Sequence, residues 1–84
     1  MLAQSGAEDS VVETGYRDAI ETARVQRAKY HELKATTSFA RWLQSHGRAS
    51  EALRVLADIY NWFTEGFDTA DLKDAKALLE ELST

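Results

Sequence analysis

Eighty-four residues allow one small domain, and 44% hydrophobic with 29% charged residues make it globular rather than disordered. The absence of proline and a count of four glycines favour helices joined by short turns, and the absence of cysteine excludes a disulfide framework and thiolate metal sites. The net charge of −4 is uneven, with six basic and six acidic groups in residues 1–46 against four and eight in 47–84, so the acidic second half repels phosphate and no nucleic-acid partner is expected.

Residues 1–9 form a short start, too brief for an independent element and expected to be flexible, and residues 10–84 form the domain. Ser10 with Glu13 fits a capping box, as does Ser5 with Glu8; the first of these pairs is preferred as the start of helix 1 over about 10–28, with Val12, Tyr16, Ala19, Ile20 and Ala23 at helical spacing. Gly15 costs about 1 kcal/mol inside that helix relative to alanine, and a close helix contact would be one reason for it. The stretch from Val25 to Glu32 contains no glycine and no strong cap, so this boundary is the least defined. Leu33, Thr36, Phe39, Ala40 and Leu43 then place helix 2 at about 31–46, stopped by Gly47. Helix 3 opens within Arg48 to Ser50 and presents Ala52, Leu56, Ile59 and Phe63 on one face. Helix 4, at about 70–82, carries Leu72, Ala75, Leu78, Leu79 and Leu82 as an amphipathic stripe.

The corner between helices 3 and 4 is dense in aromatics. Tyr60, Trp62 and Phe63 extend the helical run, and Gly66 suits the left-handed position beyond a helix end at Glu65. Phe67 is expected to fold back on Trp62, while Asp68 and Thr69 supply oxygen caps for helix 4 and Asp71 faces its positive dipole end. This group is expected to be core rather than a ligand patch.

Helices 1 and 3 match weakly at a 40-residue offset, pairing Tyr16 with Leu56, Ala19 with Ile59 and Ala23 with Phe63. The hairpin of helices 2 and 3, with Phe39, Ala40, Leu43, Gly47, Ala52, Leu56 and Ile59, resembles a divergent tetratricopeptide repeat: Ala40 and Ala52 allow close approach, Thr36 stands in place of the usual tryptophan, and the closing proline is missing. Over Leu33 to Leu82, the segments LKATTSFARWLQSHGR and LADIYNWFTEGFDTADLKDAKALLEEL resemble the C-terminal end of bacterial AAA-type signalling ATPases, often fused to class III adenylate/guanylate cyclase domains. Asn61 and Ala70 depart from the glycine and proline frequent there. The resemblance implies the last part of a tetratricopeptide-like array and none of the catalytic parts, and no GxxxxGK[ST] loop occurs in the chain.

No catalytic, cofactor or metal site is expected. His31 and His46 have no defensible ligand spacing, and Asp68, Asp71 and Asp74 do not meet the calcium-loop pattern. The interleaved charges Glu13, Arg17, Asp18, Glu21, Arg24, Arg27, Lys29, Glu32 and Lys34 suggest a solvated face with i to i+4 pairs. No apolar run reaches the ~18 residues of a membrane span, and no secretory signal pattern opens the chain, so the expected setting is cytoplasmic without a membrane partner. The expected fold is an all-α, four-helix antiparallel array with a tetratricopeptide-like hairpin and a capping C-terminal helix. The expected function is a non-catalytic interaction or scaffold module, with small-molecule sensing in the groove between helices 1 and 3 as the alternative. Candidate partner-surface residues are Trp42, Arg41, Val11 and Ile20, and an uncovered face of helix 1 would favour a weak homodimer unless the remainder of a longer chain covers it.

Overall fold

The structure is a computed structural model that describes residues 2–63 and 69–83, with side chains from Asp9 onward. Its helices are α1 (Leu2–Val25), α2 (Lys29–Ser45), α3 (Ala49–Tyr60) and α4 (Ala70–Ser83), and no strand occurs among the described residues, so the fold is all-α. α2 packs against each of the other three helices, α4 packs against α2 and α3, and α1 has only α2 as a backbone neighbour. Two short turns reverse the chain twice and leave α1 and α3 parallel, one on either side of α2.

These turns share one construction. At the end of α2 the Arg48 N–H donates to the Leu43 carbonyl at 2.9 Å and the Gly47 N–H to the Gln44 carbonyl at 3.2 Å. That is a Schellman ending, with Gly47 left-handed at φ 74° as its spacing predicts. The end of α1 repeats it: Ala28 N–H donates to Ala23 at 2.9 Å, Arg27 N–H donates to Arg24 at 3.1 Å, and Arg27 itself sits at φ 58°. A non-glycine residue takes the left-handed position here. For that reason the α1–α2 boundary has no glycine to mark it.

The core follows the helical spacing. Leu33, Phe39, Ala40 and Leu43 of α2 are buried against Ala52, Leu56 and Ile59 of α3, and Leu72, Ala75 and Leu78 of α4 close the far side. Ala40 and Ala52 are fully covered, as expected of small residues where two helices approach, and Thr36 is buried beside them. Leu79 and Leu82 flank this core. The Thr69 hydroxyl accepts the Leu72 N–H at 3.4 Å, which caps α4, and Asp71 lies in its first turn.

Three expectations need correction. α1 begins at Leu2 rather than Ser10, because Leu, Ala, Gln and Glu in that stretch are good helix formers and carry the helix through both serines. Glu13 is no capping partner, since its carboxylate is held by Arg17 and Arg48. No close contact keeps Gly15, where a Cβ would meet nothing within 4 Å. The third correction is at the aromatic corner, where α3 ends at Tyr60 with Asn61 as its C-cap, four residues ahead of the expected cap at Glu65. Trp62 and Phe63 N–H groups donate to Ile59 and Tyr60, each at 3.1 Å, so the last turn tightens to i to i+3 bonding. Phe63 is buried as expected, whereas Trp62 is 57% exposed and lies outside the helix. Gly66, Phe67 and Asp68, on which the rest of that corner depends, lie outside the described residues.

Candidate functional site

Because α1 and α3 flank α2 without meeting, a groove runs between them with α2 as its floor. Its cavity is about 590 Å³. Ile20 forms part of the α1 wall, Val55 and Asp58 part of the α3 wall, and Glu32, Thr36 and Phe39 the floor, while Trp62 stands at one end.

The opposite end is tied by a cluster of two arginines and two glutamates. Arg48 donates through Nη1 and Nη2 to both carboxylate oxygens of Glu13, at 3.0 and 3.1 Å, and through Nε and Nη2 to Glu51 Oε1, at 3.0 and 2.7 Å. Arg17 Nη2 bridges the same two glutamates at 2.8 and 2.9 Å. Each carboxylate thus faces two guanidinium groups, and the Arg48–Glu13 pair takes the strong bidentate form of the charge-assisted hydrogen bond. The hydrogen bonds from Arg48, reinforced by those from Arg17, hold the Glu13 carboxyl down at about 2. Glu51 is lowered as well, chiefly by Arg48, and the Arg48 guanidinium is raised in turn by Glu13 and Glu51. The cluster joins α1 to the start of α3 and sets their separation at this end.

At the Trp62 end the Glu32 carboxylate is buried, between Lys29 Nζ at 3.2 Å and Arg24 Nε at 3.5 Å. A buried carboxylate needs such partners, because desolvating it unpaired is costly. Lys29 Nζ also lies 5.0 Å from the Trp62 ring centroid, over its face. The Trp62 edge meets Phe63 at 5.1 Å, and Phe63 packs with Tyr30 at 5.0 Å. Every cation lining the groove is therefore engaged by an acid, while Asp58 on the α3 wall forms no ion pair among the described residues.

The candidate residues separate on this frame. Ile20 faces the groove and packs against the core edge, and Trp62 joins it there from the corner group. Trp42 is half-buried beneath the ion cluster, with Tyr16 at 6.3 Å, Phe39 at 6.1 Å, His46 at 4.3 Å and the Arg48 guanidinium at 5.9 Å over its ring. Arg41, one residue earlier, points to α4 and pairs with Asp74, whose hydrogen bond raises the Arg41 pKa. The two do not form one surface. Val11 is 71% exposed, and nine residues separate it from Ile20, which at 100° per residue puts them on opposite sides of α1. Val11 shares its outward side with Val25, 73% exposed.

Arg17, Asp18, Arg24, Glu32 and Asp58 were not legible as a site. The i to i+4 pair of Glu13 and Arg17 exists, but Glu32 is core-like rather than solvated, and the α1–α3 pairs join residues 34 and 35 apart. Nothing local in the sequence marks such pairs. Among the described residues no group of three or more His, Asp or Glu side chains gathers in a way that could hold a metal ion. None of the helices is long and apolar enough to cross a membrane, among the described residues. Comparison with protein-family models, with curated proteins and with solved structures gives no match to the chain.

Proposed function

We propose that the chain is a non-catalytic helical interaction module that receives an element of a protein partner in the groove between α1 and α3. The observation that carries this reading is the groove itself: two parallel walls held apart over a third helix, fixed at one end by the Glu13–Arg17–Arg48–Glu51 cluster and flanked at the other by a half-exposed tryptophan. Exposed tryptophan beside partly buried aliphatic side chains is the composition of an interaction hot spot. The antiparallel hairpins with matching Schellman turns and the α1–α3 pairs 34–35 residues apart support a divergent tetratricopeptide-like arrangement, whose period is about 34 residues. With the resemblance over Leu33 to Leu82, they support a place at the C-terminal end of a bacterial signalling ATPase in the cytoplasm.

A photo-crosslinking residue at position 58 or at position 76, on the exposed side of α4, tests the groove. The expected result is a protein coupled from 58 and not from 76 that, once purified, shifts the Ile20 and Val55 methyl resonances. Equal coupling from both positions, or unmoved methyls, refutes it. A second reading, small-molecule sensing, is favoured by the groove volume of about 590 Å³, which falls within the range of small-molecule pockets. A thermal-shift screen of metabolites separates the two, because a ligand at 100 times its Kd stabilises by about 2.7 kcal/mol.

A further inference from the structure

We infer that the floor of this groove carries a subsite for the carbonyl oxygen of a small uncharged ligand, with the Thr36 hydroxyl as its donor; this rests on the small-molecule reading above. Two adjacent threonines of α2 set up the contrast. Both are buried, Thr36 at 3% and Thr37 at 5% exposure. The Thr37 hydroxyl donates to the Leu33 carbonyl at 2.8 Å, the local bond that a threonine inside a helix can always find. The Thr36 hydroxyl makes no hydrogen bond among the described residues, and yet no fully enclosed side-chain oxygen or nitrogen there lacks a partner. Its oxygen is therefore the part of Thr36 that stays open, and what it opens onto is the groove that Thr36 lines. A valine of the same shape would fill the floor without withdrawing a hydroxyl from water, so the group is free for something that enters.

The head group follows from the neighbours. Glu32, one turn earlier on the same face of α2, is already paired with Lys29 at 3.2 Å through one oxygen and with Arg24 at 3.5 Å through the other. Lys29 and Arg24 keep further N–H groups, so the polar part of the floor is rich in donors and short of free acceptors. An acceptor suits it, and an uncharged one: an anion meets Glu21 and Asp58 on the walls, while a cation meets Arg24 and Lys29. The rest of the lining is largely apolar, with Ile20, Phe39, Val55 and Ile59 along it and the Trp62 ring at the end. A ketone, ester or amide on a hydrocarbon or aromatic body matches one donor set in an apolar trough. A sugar or a nucleotide would leave most of its polar groups unmatched there.

The probe is octan-2-one, titrated into the full chain while the methyl resonances of Ile20, Val55 and Ile59 are followed. Sodium octanoate and octylammonium chloride, with the same tail and a charged head, are its companions. The ketone is expected to bind in the millimolar range, as so small a ligand should, and more tightly than either charged probe. Thr36→Val is expected to weaken the ketone about five-fold, the worth of one hydrogen bond, and to leave Tm unchanged or raised. Thr37→Val is expected to do the reverse, lowering Tm by about 5 °C with the affinity unchanged, because its hydroxyl serves the helix. A Thr36→Val variant that keeps its affinity, or loses stability as Thr37→Val does, overturns the carbonyl subsite. So does a charged probe that binds as tightly as the ketone. In each of these cases the small-molecule reading stands, whereas if none of the three probes moves the groove methyls that reading fails with it.

Discussion

Phe39 is 1% exposed on α2 between α1 and α3, with the Tyr16 ring at 5.5 Å, Trp42 at 6.1 Å and the Arg17 guanidinium 5.0 Å from its centroid. Replacing it with alanine leaves a cavity walled by aromatic rings of α1 and α2 that cannot all collapse into it, so the cost belongs near the top of the usual Phe→Ala range, about 4–5 kcal/mol. Phe63 is 7% exposed beyond the end of α3, a little less covered than Phe39, and Phe63→Ala is expected to cost about 3 kcal/mol. A domain of this size has about 4–13 kcal/mol in total, so Phe39→Ala removes at least about three tenths of it and lowers Tm by about 20–30 °C. Should it prevent folding outright, Phe39→Leu, at about 1–2 kcal/mol, keeps the comparison measurable. Urea unfolding followed by far-UV circular dichroism gives the difference directly, provided the slope is unchanged. A Phe63 variant less stable than its Phe39 counterpart by more than 1 kcal/mol would place the packing centre at the corner and refute this account.

Three further outcomes are expected. Gly47→Ala should destabilise by about 1 kcal/mol through backbone strain at φ 74° alone, since the new Cβ meets nothing, while Arg27→Gly at φ 58° should stabilise by a similar amount; melting curves with the opposite ordering would mean that one turn is drawn wrongly. Glu13 is held at about 2 against 4.5 for its unperturbed carboxyl, so its share of stability is fully present above pH 4.5 and is lost as pH falls from there towards 2; Glu13→Gln should flatten the pH dependence of the urea midpoint in that window, and an unchanged profile would show that the cluster is not formed in solution. Light scattering over a dilution series should show at most weak self-association, because Val11 and Val25 lie about 20 Å apart along α1 with the charge of Asp18 between them; a tight dimer would contradict this.

The elements legible in the sequence are those whose signals are local. Leu33 to Leu43, Ala52 to Ile59 and Leu72 to Leu78 repeat at helical spacing and are buried as that spacing requires, and Gly47 stops α2 because its left-handed angle favours glycine. Arg27 adopts nearly the same angle without glycine, so the equivalent stop at the end of α1 was silent. Early termination of α3 had no marker either: Trp62 continues the apolar run, yet it leaves the helix while Phe63 remains in the core.

The groove between α1 and α3 was expected, but the ion pairs that shape it were hidden for a different reason, since they are a consequence of connectivity. Two short turns make α1 parallel to α3, and only that arrangement brings Glu13 to Arg48 and Arg17 to Glu51. Read along α1, the same Glu13 and Arg17 satisfy an ordinary i to i+4 pair and appear complete. Once α3 is in place, each becomes half of a cross-helix link, and Glu32, one of a run of surface-like charges in the sequence, becomes the buried acid that engages Arg24 and Lys29. That engagement leaves Asp58 of the α3 wall as the acid of the groove without an ion pair among the described residues. The polarity of the site therefore follows from which ion pairs the fold completes, a property that no count of acidic and basic residues along the chain contains.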